Sequence, residues 1–228
     1  MYWSVITGIL CGILLFLVYA SAAIRSGVYL KAVCRLKTAE KTLALTFDDG
    51  PDSVTTPKVL DTLSHYGVPA VFFCIGHKTE GQERLLRRMV EEGHQLGNHT
   101  YSHSVLFPLW PLAKMKKDMQ ECEERIRHFM DSRPLFRPPF GVTNPAVAKA
   151  AAQLGYHAMG WNVRSFDTTA KNYRNAVKRI NKKLRPGNII LLHDTTPDMP
   201  ELLKDIINYA RQQGYRFVRA DKYPGEAT

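Results

Sequence analysis

Two neighbouring carboxylates, Asp48 and Asp49, follow the apolar start of the stretch LALTFDDGPD. Taken alone they read as the start of a surface turn, because Asp-Gly and Gly-Pro are turn signals. Other residues give them chemistry. His99 and His103 in GNHTYSHS are four apart, and on a helical turn that spacing puts both imidazoles on one face, as a divalent metal requires. The plain alternative is two surface histidines. Adding Asp49 gives two imidazoles and one carboxylate with positions left for water and substrate. That donor set suits catalytic zinc and also admits nickel, cobalt or iron. Asp48 beside it is then placed to accept a proton from water as general base. Arg137 could pair with Asp48 and orient it. His193 could protonate a leaving amine or alcohol, with Asp167 orienting and charging the imidazole. A backbone N–H near Phe140 and Gly141 could hold a developing oxyanion. Together these groups describe metal-assisted hydrolysis of an acyl bond. Each also has a plain reading: Arg137 and Asp167 as surface charges, His193 as a core histidine. His65, His77, His94, His128 and His157 have no partner of matching spacing. Trp161 either packs or offers its ring to the apolar face of a sugar.

Such groups need elements to position them, and the hydrophobic periodicity supplies these. Strand patterns at 42–47, 70–75, 95–98, 134–137, 157–161, 188–193 and 215–218 alternate with helical patterns at 56–67, 82–93, 111–131, 144–155, 172–184 and 201–214. Thr56 is the expected cap of the first of these helices and Asn144 of the fourth. Strands alternating with helices predict βαβ units and a parallel sheet, open or closed into a barrel, with function at the carboxyl ends of the strands. Asp48 and Asp49, His99 and His103, Arg137, Asp167 and His193 all fall where a strand runs out. That shared placement favours one common mouth.

The chain has 228 residues, enough for one domain with a substantial core. Trp3 to Ile24 is an unbroken run of apolar or small side chains. At 1.5 Å per residue it reaches roughly 33 Å, enough to cross a bilayer core of about 30 Å. A signal peptide is the competing reading, since ASA at 20–22 fits a cleavage site. No Lys or Arg precedes the run, which favours an uncleaved anchor over residues 1–24. Residues 25–40 are expected to form a basic linker, and 41–228 the catalytic domain. Arg25, Lys31, Arg35 and Lys37 after the span argue for a cytoplasmic C-terminal side, although long domains often cross regardless of such charges. The net charge of +10 suits a membrane surface or a cell-wall polymer. No zinc-finger or RNA-binding signature supports nucleic acid. Four cysteines, Cys11, Cys34, Cys74 and Cys122, show no CxxC or disulfide spacing and read as isolated thiols.

The motifs TFDDGPD, HTYSH, RPPFG, WNVRSFD and LLHD, in this order, resemble those of the polysaccharide deacetylases, carbohydrate esterase family four, over roughly residues 40–220. The resemblance implies a deformed parallel (β/α) barrel that removes N- or O-acetyl groups from chitin, peptidoglycan or related glycans. It makes Asp49, His99 and His103 the metal ligands, Asp48 the base, His193 the acid supported by Asp167, and Arg137 the residue orienting Asp48. The Phe140 backbone becomes the oxyanion donor, and Leu191 lines the acetyl-methyl pocket. The family's fourth motif usually reads Asp-x-x-Asp-Trp, whereas this chain has Arg164 to Thr168 there, keeping only the second Asp as Asp167. The altered groove wall bears on substrate preference. The expected activity is N-deacetylation of a GlcNAc-containing envelope glycan by a single-pass protein of the cytoplasmic membrane whose domain lies outside. The alternatives are an O-acetyl esterase, a deacetylase of a lipid-linked sugar, a cyclic-amide hydrolase and a non-catalytic glycan-binding protein.

Overall fold

The computed structural model describes residues 2–130, 134–170, 172–222 and 225–227. Helix α1 (Tyr2–Ala22) precedes strands β1 (Val33–Leu36) and β2 (Thr42–Asp48). Then follow α2 (Thr55–Tyr66), β3 (Ala70–Cys74), α3 (Glu83–Glu91), β4 (Gln95–Asn98), α4 (Leu112–Ile126), β5 (Leu135–Phe136) and α5 (Pro145–Gln153). The chain ends with β6 (His157–Ala158), β7 (Val163–Arg164), α6 (Tyr173–Lys183), β8 (Asn188–His193), α7 (Met199–Gln212), β9 (Arg216–Phe217) and β10 (Gly225–Ala227). Strand order is β10-β1-β8-β2-β3-β4-β5-β6, with β7 on β8 and β9 on β2. A parallel bridge from Val33 to Met159 brings β1 to the far end of this sequence of strands, so the sheet curls into a nearly closed barrel. The strands that carry the site are parallel, whereas β1 runs antiparallel to β8 and β10.

The period-two alternation of β2 explains how one strand serves both core and site. Leu43, Leu45 and Phe47 pack outward into the cluster shared with α2, α6 and α7. Ala44 joins the cluster inside the barrel. Thr46 and Asp48, on the same inner face, are buried and polar. Register then does the positioning: Asp48 pairs with His193 across β2 and β8, and Asn98 with Phe136 across β4 and β5. The residues that follow this second pair, His99 and Arg137, are therefore side by side.

Several local expectations change. The stretch 25–40 is no simple linker, because it contains β1, and Leu30, Ala32, Cys34 and Leu36 are buried. Its basic side chains alternate with these apolar ones, and the short strand is hidden by the charge. Thr56 does not cap α2. The cap position is Val54, and Asp52 before it accepts from the N–H groups of Val54 (2.9 Å) and Thr55 (2.7 Å), while the Thr56 hydroxyl donates to Asp194 at 2.5 Å. Asn144 caps α5 as expected, accepting from Val147 N–H at 2.8 Å. The helix expected over 111–131 is α-helical only to Ile126 and continues as a 3₁₀ turn over Arg127–Phe129; residue 131 lies outside the described residues. The strand expected at 157–161 is reduced to β6, and the short β7 follows it. Cys34, Cys74 and Cys122 are buried free thiols and Cys11 is exposed.

Candidate active site

Asp49 has φ 74°, a left-handed backbone conformation that interrupts strand alternation directly after Asp48. This turn lets two adjacent carboxylates face one cavity instead of opposite faces. The same conformation recurs at Thr100 (φ 66°), His103 (φ 48°), Phe140 (φ 59°) and Phe166 (φ 57°). These are the only non-glycine residues with positive φ among those described, and each lies in the site or beside one of its residues. Such backbone costs of order 1–3 kcal/mol per residue and concentrates at functional sites.

His99 and His103 do come together, but on a bent loop and not on a helical turn. The left-handed residues Thr100 and His103, with Thr100 Oγ1 accepting from His103 N–H at 3.1 Å, fold the segment back. The Nδ1–H of His99 donates to the Arg137 carbonyl at 2.7 Å, which leaves Nε2 with its lone pair facing Asp49. From Asp49 Oδ1, His99 Nε2 is 3.5 Å and His103 Nε2 is 3.4 Å away. The ligand atoms of the three residues all lie within 4.8 Å of one another. Donors held about 2.0–2.1 Å from a tetrahedral ion are separated by about 3.3–3.4 Å, so this trio fits a divalent metal. Burial, and then neighbouring His99, pushes His103 down to about 4, leaving a neutral imidazole able to ligate. Burial opposes ionisation of Asp49. The imidazoles of His99, His103 and His193 around it outweigh burial and hold Asp49 well below the usual carboxylate range.

Arg137 is fully buried. It donates from Nη1 to Asp48 Oδ1 at 2.6 Å and Thr46 Oγ1 at 3.0 Å, from Nε to the Met159 carbonyl at 2.9 Å and from Nη2 to the Gly160 carbonyl at 2.8 Å. Its guanidinium also stacks 4.1 Å above the Phe73 ring. Burial pulls Arg137 below its ordinary value despite the opposing charge of Asp48, and it remains a cation. Asp48 is thereby fixed through Oδ1, with Oδ2 left 3.7 Å from His99 Nε2. Replacing Arg137 by Met should cost about 3–5 kcal/mol, because a buried carboxylate loses its partner. Denaturant unfolding would read this as a lower midpoint.

On the other side of the cavity, Asp167 grips His193 twice. Its Oδ2 accepts the His193 backbone N–H at 2.9 Å, and its Oδ1 lies 3.0 Å from Nδ1. Ser165 Oγ donates to the same carboxylate at 2.5 Å. Burial opposes charge on both partners. The mutual hydrogen bond and attraction prevail, lowering Asp167 and raising His193, the latter helped by Asp48 and Asp49. His193 Nε2 points toward Asp49, 4.0 Å from Oδ2.

Asp48, Asp49, His99, His103, Phe140, Trp161, Arg164, Leu191 and His193 line a cavity of about 60 Å³, room for an acetyl-sized group but not for a sugar ring. The Gly141 N–H is engaged by the Pro138 carbonyl at 3.0 Å, whereas no hydrogen bond among the described residues engages the Phe140 N–H. Of the two expected oxyanion donors, only Phe140 is therefore free. Gly141 has a different use: a Cβ there would lie 2.4 Å from the Trp161 ring. Trp161 sits against this glycine, 5.4 Å from Arg137. Arg164, named from sequence only as a departure from a motif, proves to be a wall of the cavity, with its guanidinium 4.9 Å from the Phe166 ring.

Known proteins share this arrangement at the level of sequence and fold. The sequence model of the polysaccharide deacetylase family matches residues 35–159. A peptidoglycan-N-acetylglucosamine deacetylase of Bacillus cereus is 35% identical over 78% of this chain and 86% of its own length. A chitooligosaccharide deacetylase of Sinorhizobium fredii is 36% identical over 74% and 79% respectively. The solved structure of the Bc1960 peptidoglycan N-acetylglucosamine deacetylase superposes with a TM-score of 0.78 at 28% identity, over 84% of this chain and 91% of that one. Family match, extended sequence identity and common fold agree, and the chain is an enzyme belonging to the polysaccharide deacetylase family.

Proposed function

We propose that this protein is a metal-dependent N-deacetylase of a GlcNAc-containing envelope glycan, peptidoglycan- or chitin-like, that releases acetate and leaves a free amine. The observation that carries it is one small cavity bounded on one side by Asp49, His99 and His103 with the Asp48–Arg137 pair, and on the other by the His193–Asp167 pair. Asp49, His99 and His103 would hold one divalent ion, zinc by preference for this donor set. When bound, it supplies Lewis acidity, acidifying water and polarising an acyl carbonyl. Asp48 accepts the water proton at Oδ2, with Oδ1 held by Arg137. As the oxygen of water joins the acetyl carbon, negative charge grows on the carbonyl oxygen and the Phe140 N–H meets it. The C–N bond then breaks as His193 gives its Nε2 proton to the departing nitrogen. Leu191 receives the methyl group, and Trp161 lies along the sugar.

Purified full-length protein in detergent, assayed for acetate on N-acetylated chitooligosaccharides and on intact peptidoglycan, tests this reading. Release from either supports it, and the better substrate identifies the glycan. No release from either, with metal bound, contradicts it.

Protonated His193 is the active form, so activity should fall as pH rises through its raised pKa. Asp167→Asn removes the charge that raises it and should move this alkaline limb to lower pH in a kcat/KM profile. Arg164→Ala should raise KM for a polymer several-fold with kcat little changed, because Arg164 lines the wall and touches none of the proton-transfer groups.

Helix α1 is long and apolar enough to cross a membrane. It serves here as an uncleaved anchor in the cytoplasmic membrane, with the barrel on the outer side where envelope glycan lies. A C-terminal topology reporter tests that orientation against the basic flank.

A further inference from the structure

Every residue of α1 from Tyr2 to Tyr19 is exposed, and the helix becomes buried only at Ala20. There it joins the barrel. The Thr143 N–H donates to the Ser21 carbonyl at 2.9 Å, and Thr143 Oγ1 donates to the Ala20 carbonyl at 3.1 Å. Ser26 Oγ donates to that Ala20 carbonyl at 3.2 Å. Cleavage after Ala22 would remove both acceptors of Thr143, so these residues belong to the folded unit.

The next residue, Asn144, donates from Nδ2 to the Pro108 carbonyl at 2.6 Å. Phe107 is fully buried in the same apolar cluster as Ile24. The loop after His103 is thus tied to the C-terminal end of α1 indirectly, by the Asn144 hydrogen bond next to Thr143 and by the packing of Phe107 in the cluster that holds Ile24. Three of the loop's apolar side chains face water: Val105, Leu106 and Leu109 are 73%, 55% and 80% exposed, while Trp110 is partly buried against the cluster. Val28, four residues beyond Ile24, is also exposed. Lys114 Nζ lies 3.9 Å from the Trp110 ring. Water-facing clusters of large aliphatic residues mark interaction surfaces, and Trp with a neighbouring Lys suits the headgroup layer, where ring and ammonium can both be accommodated.

We infer that this face docks on the bilayer that α1 crosses, with Val105, Leu106 and Leu109 dipping into the boundary between headgroups and acyl chains. The continuity from the end of α1 through Thr143 and Asn144 to Pro108 selects a membrane as the occupant. Active-site residues lie on the same segments: His103 is two residues before Val105, and Phe140 three before Thr143. The mouth therefore opens at the lipid surface, and the glycan it accepts is membrane-proximal. This rests on the reading of α1 as a span.

The test uses full-length protein with Cys11→Ser in phosphatidylethanolamine–phosphatidylglycerol vesicles. An environment-sensitive fluorophore is attached in turn to Leu109→Cys, to Leu14→Cys within α1 and to Glu91→Cys before β4, at the end of the barrel opposite the site. Nitroxide lipids report depth. The expected result is strong quenching at 14 by deep probes, strong quenching at 109 by shallow probes about 5–10 Å into the boundary, and little at 91. Quenching at 109 no greater than at 91, with 14 quenched, overturns the docking and leaves the anchor standing. No quenching at 14 overturns the anchor and the docking with it. In a second measurement, Leu106→Ser with Leu109→Ser should slow deacetylation of a vesicle-embedded lipid bearing N-acetylglucosamine several-fold and leave soluble chitooligosaccharide turnover unchanged. Equal rates on the embedded lipid would contradict the inference.

Discussion

Asp48→Asn is expected to lower kcat by about 10²–10⁴-fold, the usual contribution of a positioned general base, while the protein still binds its metal. The side chain is not among the three whose donor atoms converge; those are Asp49, His99 and His103. Its Oδ1 is taken by Arg137 at 2.6 Å, and only Oδ2 faces the cavity. Asn keeps an oxygen for Arg137 but places a weakly basic amide where the proton must go. Metal content by atomic absorption and acetate release separate the two effects. A variant without metal, or one with near-normal turnover, would take Asp48 out of the base role. Asp48→Asn also leaves buried Arg137 facing a neutral partner, so a lower melting temperature should accompany the kinetic loss.

His103→Ala should lose metal and turnover together. Replacing outer partners of a metal site alone costs 10–100-fold in affinity, and loss of a direct ligand should exceed about 10²-fold. His103 is held by a left-handed turn and packs 4.7 Å from the Phe140 ring. The contrast with Asp48→Asn is the informative part. Both variants should be slow, but only His103→Ala should be metal-poor, as read by zinc bound per chain after dialysis.

Much of this site was legible in the sequence because its residues sit at strand ends, and strand ends are marked by apolar runs that stop. Asp48, His99, Arg137 and His193 follow such runs, and parallel pairing then needs only the right register to bring them together. What periodicity conveys poorly is backbone conformation away from regular elements. His99 and His103 at a spacing of four suggested a helical turn, whereas left-handed residues at Thr100 and His103 produce the juxtaposition. The N-terminal strand Val33–Leu36 was hidden in a basic stretch, because four residues with charged neighbours resemble a linker. Its role depends on pairing with Asn188 and with Gly225–Ala227, both far along the chain. The sequence points to a backbone N–H near Phe140 and Gly141 for the oxyanion, yet the Gly141 N–H bonds to Pro138 and its missing side chain makes room for Trp161. Neither use has a local signature. Arg164 entered the wall of the cavity through β7, a strand of two residues that is too short to leave a period.

The most direct test of the central claim is a zinc titration of the stripped full-length enzyme, with acetate released from a chitooligosaccharide as the readout. Metal bound by Asp49, His99 and His103 and chemistry performed by Asp48 and His193 predict no release after chelation. Release should then rise with added zinc and saturate near one equivalent per chain. Release that survives chelation, or zinc bound at one equivalent without any release, would contradict it.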